Sequence, residues 1–267
     1  MVKETLIICL LTFTLNIIGV LAYSTRITGL RTKLYGASFS VYNILSLVSR
    51  MATVLQAPIL AKSIELNINA GKSTDTAIFR WAIFAAFLAS FIGALAMPSF
   101  NNLLSIAVKK YYQLKSMPRF IVHALSSKKT LRSFSKSFTI PSKQNFVHLL
   151  NYKAFFTYNF FINIAVSVIS TCAVLSSLYA GCLIPTLRAT ANSLVGIVNG
   201  LAMVLSVVFI DPYVSLINDE VIHEVRTEQT FKKDISYILF ARLIGTLVAQ
   251  LLFIPIAHAI VFVAYKM

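Results

Sequence analysis

The stretch SVYNILSLVSRMATVLQAP, Ser40–Pro58, places an arginine in the middle of an apolar segment. Val41 to Leu60 supplies about the ~20 residues that a helix needs to cross a hydrocarbon core of ~30 Å, and Arg50 lies roughly halfway along it. A cation at that depth costs ~2.5–3.5 kcal/mol on insertion scales, so we expect Arg50 to face protein or water rather than lipid. The stretch therefore predicts a membrane-spanning helix with an arginine on its inward face.

A polar stripe accompanies this arginine at helical spacing. Its members are Asn43, Ser46, Arg50, Thr53 and Ala57, with Ser49 and Gln56 on the adjoining row. Arg50 either snorkels and satisfies backbone carbonyls, or it lines a cavity and binds an anion. We favour the cavity because the polar stripe runs the whole length of the helix.

The composition is that of a polytopic membrane protein. The chain has 267 residues, of which 57% are hydrophobic and 12% charged, and its mean hydropathy is +0.77. A soluble domain carries about 25% charged residues. The formal charge of +15 suits anionic membrane lipids or an anionic substrate, and without a nucleic-acid motif we expect no nucleic-acid partner. The three cysteines lie in apolar segments without a CxxC motif, so we expect no disulfide, metal or cofactor.

Apolar segments along the chain predict an all-α fold with about six transmembrane helices in a single transmembrane domain, residues 1–267. The predicted spans are Thr5–Tyr23, Val41–Leu60, Trp81–Met97, Ala154–Ile184, Thr190–Ile210 and Tyr237–Tyr265. Pro98 is expected to interrupt the third span before a further apolar piece that runs to Val108. The N-terminus lacks an A-x-A-like cleavage site, so we expect a retained first span rather than a cleaved signal peptide.

The connections between these spans differ in charge. A short basic turn with Arg26, Arg31 and Lys33 follows the first span, and an acid-rich loop is predicted at residues 211–236. Residues 109–143 contain nine Lys and Arg and no acid, so they form either amphipathic helices on an anionic leaflet or a solvated loop that sets topology. The positive-inside rule places this basic loop in the cytoplasm and both termini outside.

The inward faces of the predicted helices carry amides, hydroxyls and arginines but no acid. Arg50 is deep, and Arg242 lies about one and a half turns inside the last span. We therefore expect a polar, net-cationic cavity that favours an anion, since guanidinium groups match phosphate oxygens. HExxH, GxSxG and DDxxD-like motifs and paired intramembrane aspartates do not occur, which argues against several enzyme classes. A transporter of an anionic molecule or a binding or structural membrane protein remains.

Five sequence blocks resemble the Amj family, the bacterial lipid II flippases named as an alternate to MurJ. These blocks are YSTRITGLRT (Tyr23–Thr32), SRMATVLQAP (Ser49–Pro58), LRATANSLVGIVNG (Leu187–Gly200), FIDPYVSLINDEV (Phe209–Val221) and ARLIGTLVAQLLFIPIA (Ala241–Ala257). The resemblance covers nearly the whole chain in order. It implies a multi-pass protein of the bacterial plasma membrane that is not an enzyme and that moves the undecaprenyl-linked peptidoglycan precursor to the outer leaflet for cell-wall synthesis.

On this hypothesis the substrate is lipid II, with its pyrophosphate, two sugars and peptide on a prenyl tail. Arg50 and Arg242 are expected to hold the pyrophosphate, and Arg26 and Arg31 to receive it at the cytoplasmic mouth. The residues expected to line the polar path are Asn43, Gln56, Asn192, Asn199 and Gln250. A homodimer through the Gly196/Gly200 or Gly245 faces is possible. The alternative is a non-transporting scaffold of the cell-envelope machinery, whose polar stripes bind its helices together.

Substitution of Arg50 tests the cavity hypothesis directly. Arg50→Ala should abolish precursor export, because the cavity loses a cation that binds the pyrophosphate. The protein should still accumulate in the membrane, since a helix without a central charge inserts more easily. Arg50→Lys should also fail or be much weaker, since a point charge does not replace a bidentate fork. Complementation of a flippase-deficient strain is the measurement, and normal growth with the alanine variant would contradict the hypothesis.

Overall fold

The computed structural model describes residues 2–69, 76–116, 119 and 158–267, without the side chains of residues 2–4, 50, 52–54 and 66–69. Every regular element in this part of the chain is helical. The helices are α1 (Val2–Ala22), α2 (Ser24–Thr32), α3 (Tyr35–Asn69), α4 (Ala77–Leu114), α5 (Tyr158–Leu183), α6 (Arg188–Ser193), α7 (Val195–Leu205), α8 (Asp211–Ile222) and α9 (Glu228–Lys266), with a 3₁₀ turn at Pro185–Leu187 and a π-helical turn at Ser206–Ile210. The all-α prediction is confirmed.

Among the described residues, five helical segments are long and apolar enough to cross a membrane. They are Thr5–Thr32, Ala77–Leu114, Tyr158–Leu183, Pro185–Ile222 and Glu228–Lys266. This number is close to the predicted six. The remaining predicted span lies in α3, which is 35 residues long, equivalent to ~52 Å of helix, and which runs antiparallel along α1.

The closest helix pair is α5 and α9, which run parallel to each other. Cys172 Sγ and Ser176 Oγ donate hydrogen bonds to the carbonyls of Ala249 and Phe253, at 3.5 and 3.0 Å. Gly245 lets the two backbones approach, because a Cβ there would lie 2.5 Å from the Ser167 Cβ. Small residues thus replace large ones where helices must touch, as in other membrane bundles.

A second group of helices, α1 to α4, packs around α1. Gly93 of α4 lies against Val20 of α1, and Ser49 Oγ of α3 donates a hydrogen bond to the Leu15 carbonyl at 2.9 Å. The two groups meet where Phe79 of α4 stacks on Phe253 of α9, with ring centroids 5.4 Å apart. Since α1, α4 and α6–α8 run in one direction and α3, α5 and α9 run in the other, the first and last described residues lie at the same end of the bundle.

The predicted basic turn after the first span is wrong, because these residues form α2. Its residues 24–30 are buried, and Ser24 Oγ donates a hydrogen bond to Asn101 of α4. Ser38 Oγ of α3 donates to the Thr25 carbonyl, so neighbouring helices supply the partners of this segment. The sequence of this segment contains glycine and β-branched residues and therefore has a low helix propensity, but tertiary contacts stabilise the helix. The helix ends at Lys33, whose φ is +56°.

The predicted interruption at Pro98 is also wrong, since α4 continues through it to Leu114. Proline removes one backbone hydrogen bond, but a full break would leave several backbone groups without partners in an apolar environment. Met97 is buried beside Val20 and Ile27, and this packing holds the helix together on both sides of the proline. Of the predicted basic loop 109–143, all but residues 109–116 and 119 lies outside the described residues.

The segment predicted as an acid-rich loop, residues 211–236, is largely helical. Pro212 occupies the first turn of α8, a position where its missing N–H is of little cost, and α9 already begins at Glu228 with Thr227 as its N-cap. Arg226 in the short turn between them forms ion pairs with Glu220 and Asp234, at 2.5 and 3.2 Å. The acids therefore stabilise a tight connection rather than a flexible loop.

Gly245 is buried against α5 within the chain, so its face is not free for the homodimer considered above. A homodimer through Gly196 and Gly200, where a Cβ would meet no atom within 4 Å, stays a prediction.

The contact at Gly245 generates a stability prediction. Gly245→Ala should destabilise the protein by roughly 1–3 kcal/mol, because the new methyl group overlaps Ser167 and the Ile164 carbonyl. Gly36→Ala is the matched control, since a Cβ there meets nothing within 4 Å and alanine favours the helix. Thermal unfolding of the purified proteins in detergent measures both, and equal melting temperatures would contradict the prediction.

Candidate functional site

A cavity of about 600 Å³ lies between α1, α3, α5, α7 and α9. It extends from Tyr42 to Ala57 along α3, which corresponds to ~22 Å of helix and to most of a ~30 Å hydrocarbon core. The described residues that line it are Thr12, Leu15, Asn16, Gly19, Tyr23, Tyr42, Ser46, Ser49, Gln56, Ala57, Ala86, Asn163, Val166, Ser167, Ser170, Thr171, Val174, Leu175, Val195, Gly196, Asn199, Gly200, Ala202, Met203, Ser206, Ile210, Ile238 and Arg242.

Half of these lining residues are polar, and they come from one face of each helix. On α3 the face consists of Tyr42, Ser46, Ser49 and Gln56, which follow the helical period. Leu47 and Leu55 of the same helix point outward and are exposed. Gln56 donates a hydrogen bond of 2.5 Å to Thr12 Oγ1, so one polar row also ties α3 to α1.

Arg242 is the charged member among the described lining residues, and its guanidinium lies near Ser49, about halfway between Tyr42 and Ala57 along α3. Its guanidinium reaches towards α1 and α3, where a Cβ on Gly19 would lie 3.1 Å from Nη2 and 2.9 Å from Ser49 Oγ. Gly19 therefore leaves the space that the guanidinium occupies. Within the part of the chain that the structure describes, the ion pairs involve other arginines, so Arg242 has no carboxylate partner there. An unpaired arginine in a membrane interior attracts an anion or water.

A second guanidinium, that of Arg26, lies behind the tyrosines at one end of the cavity. Its Cζ is 4.7 Å from the Phe39 ring centroid and 4.3 Å from that of Tyr42, so the two rings hold it by cation–π contacts. Asp211 Oδ1 is 3.9 Å from Arg26 Nη2 and accepts a hydrogen bond from the Tyr42 hydroxyl at 3.4 Å. Tyr23 packs edge-on against Tyr42 and lines the cavity with it.

Both α3 and α7 line the cavity, and we infer a lateral opening between them. In the described part of the chain α3 packs on α1 and α2, whereas α7 packs on α5 and on residues 206–210, and the two helices share no extensive contact. Their outer faces are apolar: the exposed side chains are Leu47, Val48, Met51 and Leu55 on α3 and Ile197, Leu201 and Val204 on α7. The cavity thus adjoins a surface suited to acyl or prenyl chains.

Two ion pairs bridge this opening, one at each end. Arg26 of α2 pairs with Asp211 of α8, and Glu65 of α3 pairs with Arg188 of α6, each at 3.9 Å. Both distances exceed that of a charge-assisted hydrogen bond, about 2.7–2.9 Å. The opening is therefore bounded at each end by an ion pair whose charges attract each other but form no direct hydrogen bond.

The structure brings three of the residues proposed from sequence into the cavity, namely Arg242, Gln56 and Asn199. Arg26 lies beside the cavity, and Arg31 is exposed at the same end, where it donates a hydrogen bond of 2.7 Å to Asn102 Oδ1.

The other sequence candidates are not described as lining residues. Asn43 is exposed on the outer side of α3, Asn192 lies beside Gly181, and Gln250 donates a hydrogen bond of 2.9 Å to the Arg80 carbonyl. The side chain of Arg50 lies outside the described residues, although its backbone is part of α3 next to Ser49. The substrate-binding roles of all of these residues stay predictions.

Sequence reasoning missed two parts of the site. Tyr23 and Tyr42 were not proposed as site residues, although Tyr23 follows the helical spacing of Thr12 and Gly19 on the first span. Asp211 was assigned to a loop, although it directly follows an apolar segment, which was the available signal of its place at the mouth. Helical spacing on the fourth predicted span places Asn163 and Ser170 on one polar face, and both line the cavity, although neither was proposed as a substrate-binding residue.

The chain was compared with known proteins. Residues 11–264 match the model of the family described as Amj, alternate to MurJ. The chain is 33% identical over 261 residues to the protein named lipid II flippase Amj of Bacillus subtilis (strain 168), an alignment that covers 91% of this chain and 90% of that protein. No solved structure matches the chain.

Thiol labelling tests the electrostatics of the cavity. In a variant without native cysteines, Ser170→Cys should react roughly threefold or more faster with a negatively charged water-soluble methanethiosulfonate than with a positively charged one, because Arg242 sets the local potential. Arg242→Gln should remove this preference. Ala165→Cys is the control. This residue is exposed on the same membrane-spanning helix but outside the cavity, so it should face lipid and react with neither water-soluble reagent. Equal rates for both reagents at Ser170→Cys would contradict a cationic cavity.

Proposed function

This chain belongs to the Amj family, alternate to MurJ, and we propose from that premise that it is a lipid II flippase, a transporter and not an enzyme. On this proposal it is a multi-pass protein of a bacterial membrane that moves the undecaprenyl-pyrophosphate-linked peptidoglycan precursor between leaflets. The relative from Bacillus subtilis is named for the same activity and aligns over nearly the full length of both chains.

The observation that carries the proposal is the cavity with Arg242 at mid-depth and an apolar opening along its side. Lipid II joins a charged, hydrated headgroup to a long prenyl tail, and the two parts need opposite environments during transfer. A headgroup inside the cavity would contact hydroxyls, amides and a guanidinium. The tail would pass between α3 and α7 and remain in lipid, so that neither part is transferred into the wrong solvent.

The main barrier to leaflet exchange is the desolvation of the pyrophosphate. A charge moved from water into a medium of low dielectric loses many kcal/mol of solvation, and only a nearby opposite charge with hydrogen bonds compensates for this loss. Arg242 supplies such a charge halfway along the cavity, and its fork is able to bind two phosphate oxygens at once. Arg50, at the same level of α3, is proposed as the second cation that holds the pyrophosphate.

The sugars and the peptide of the headgroup require many weaker hydrogen bonds. The polar rows on α3 and α5, with Gln56 and Asn199, offer hydroxyls and amides along the path. These groups donate and accept without charge, and they therefore replace water without a fixed binding position. We propose that the pyrophosphate provides most of the recognition, and that the neutral rows let the rest of the headgroup slide.

The direction of entry follows from the distribution of basic residues. Arg26, Arg31, Lys33 and Lys109 lie at the same end of the bundle as the turn before α9. The positive-inside rule places this end in the cytoplasm, where the precursor is made. Arg26 and Arg31 are thereby proposed as the first cations that the pyrophosphate meets, and the adjoining basic segment as a contact for anionic membrane lipids.

Reconstitution into vesicles with labelled lipid II tests the proposal. The wild-type protein should exchange lipid II between leaflets, and Arg242→Gln should slow this exchange by at least tenfold, because the pyrophosphate loses its partner at mid-depth. Arg242→Lys should retain part of the rate, since it keeps the charge without the fork. Arg80→Gln removes an exposed arginine outside the cavity and should leave the rate unchanged.

Two outcomes would contradict the proposal. Absence of exchange by the wild-type protein would favour the non-transporting scaffold. Competition by undecaprenol as strong as that by undecaprenyl pyrophosphate would place the affinity in the tail groove, since the alcohol has the same tail and no charge.

A further inference from the structure

Arg26 is the most enclosed guanidinium that the structure describes in an ion pair. Only 8% of its side-chain surface is exposed, and Nε is buried without a hydrogen-bond partner. The Phe39 and Tyr42 rings lie beside the guanidinium, with centroids 4.7 and 4.3 Å from Cζ. A buried arginine with unmet donors is costly, so this position favours a ligand with several acceptor oxygens.

Asp211 is the carboxylate that faces this guanidinium, and it binds only loosely. The Arg26 Nη2 to Asp211 Oδ1 distance of 3.9 Å is too long for a hydrogen bond, whereas an arginine and a carboxylate at full strength form two bonds of about 2.7–2.9 Å. Asp211 is 29% exposed, which gives it access to water when it leaves. The Arg26 guanidinium thus has a donor without a hydrogen-bond partner, whereas water can readily solvate the Asp211 carboxylate.

The pair also lies at the boundary between two parts of the structure. Arg26 and Tyr42 belong to α2 and α3, on one side of the lateral opening, and Asp211 begins α8, on the other side. The residues directly before Asp211, Ser206–Ile210, form a π-helical turn. Such turns are frequent at functional sites. The pair therefore joins the two sides of the opening next to an irregular turn.

We infer that Asp211 is an internal counter-ion that occupies the anion position of Arg26 in the empty protein, and that a lipid-linked pyrophosphate displaces it on entry. The inference rests on the flippase function proposed above. It makes Asp211 a specificity-determining residue. A ligand must bind Arg26 more strongly than one carboxylate does, and a phosphate group has additional oxygens that accept from guanidinium N–H groups. Neutral polyprenols cannot displace the carboxylate.

An exchange of anions at Arg26 keeps the site near electrical neutrality before and after entry. The affinity of Arg26 for a pyrophosphate is lowered because the Asp211 carboxylate must first be displaced. The lower affinity also favours release of the pyrophosphate towards Arg242 at mid-depth. Removal of the carboxylate should therefore strengthen anion binding at the mouth. A carboxylate that served only to hold the fold together would have the opposite effect on removal, since the unpaired arginine would disturb the site.

Binding of undecaprenyl pyrophosphate to the full-length protein in uncharged-lipid nanodiscs measures the effect. Asp211→Asn, which keeps a side chain able to accept from the Tyr42 hydroxyl, should bind about tenfold more tightly than the wild type. In the Arg26→Gln background the same substitution should give no gain, because the two residues are coupled. Glu65→Gln is the matched control, since it removes an ion pair of the same 3.9 Å length whose carboxylate is 56% exposed, and it should change affinity little.

Thermal unfolding without ligand checks that each variant is folded. Equal or weaker binding by Asp211→Asn, a gain that persists in the Arg26→Gln background, or tighter binding of undecaprenol would each overturn the inference. The binding measurement does not depend on transport. If the wild type exchanges lipid II but Asp211→Asn binds with unchanged affinity, only the inference about Asp211 is rejected. If Asp211→Asn binds tenfold more tightly but the wild type exchanges no lipid II, the flippase function is rejected and the anion site remains.

Discussion

A bilayer interior offers no hydrogen-bond partners, and this constraint decides where every polar group of the protein lies. Backbone groups are satisfied within long helices, even through Pro98, because a break would leave them unpaired. Hydroxyls bond to carbonyls on their own or neighbouring helices, as Ser176 does to Phe253. Many of the remaining polar residues in the described part of the chain line a common cavity. The cavity exists because these residues need water or a ligand, and the arginine at its centre is the strongest such requirement.

The bundle combines one tight interface with one incomplete interface. Small residues let α5 and α9 approach closely around Gly245, and Gly93 does the same between α1 and α4. The two helices beside the lateral opening, α3 and α7, have apolar outer faces and no extensive mutual contact in the described part of the chain. A rigid frame with one open side is what a carrier of an amphiphilic lipid requires, because the frame holds the polar path while the open side admits the tail.

Charge is distributed along the path in a way that suits a passing anion. At each end of the opening a carboxylate accompanies the arginine, in the pairs Arg26–Asp211 and Arg188–Glu65. At mid-depth Arg242 has no such companion among the described residues. A pyrophosphate would thus meet the least competition where its own desolvation is greatest. The ends, which are closer to water, need only moderate attraction, and strong binding there would slow release.

Hydropathy and helical spacing alone determined the fold class, the approximate number of spans and the polar row with Gln56, because these depend on local periodicity and on the solvent. Gly196 and Gly200 could be placed on a helix, but not Gly245 against Ser167, since sequence does not state which helices touch. The helix α2, the helical course of the acid-rich segment and the meeting of Arg26 with Asp211 were decided by tertiary structure. These features join residues that are far apart in the chain, and their energies come from burial and charge contacts that arise only when the helices pack.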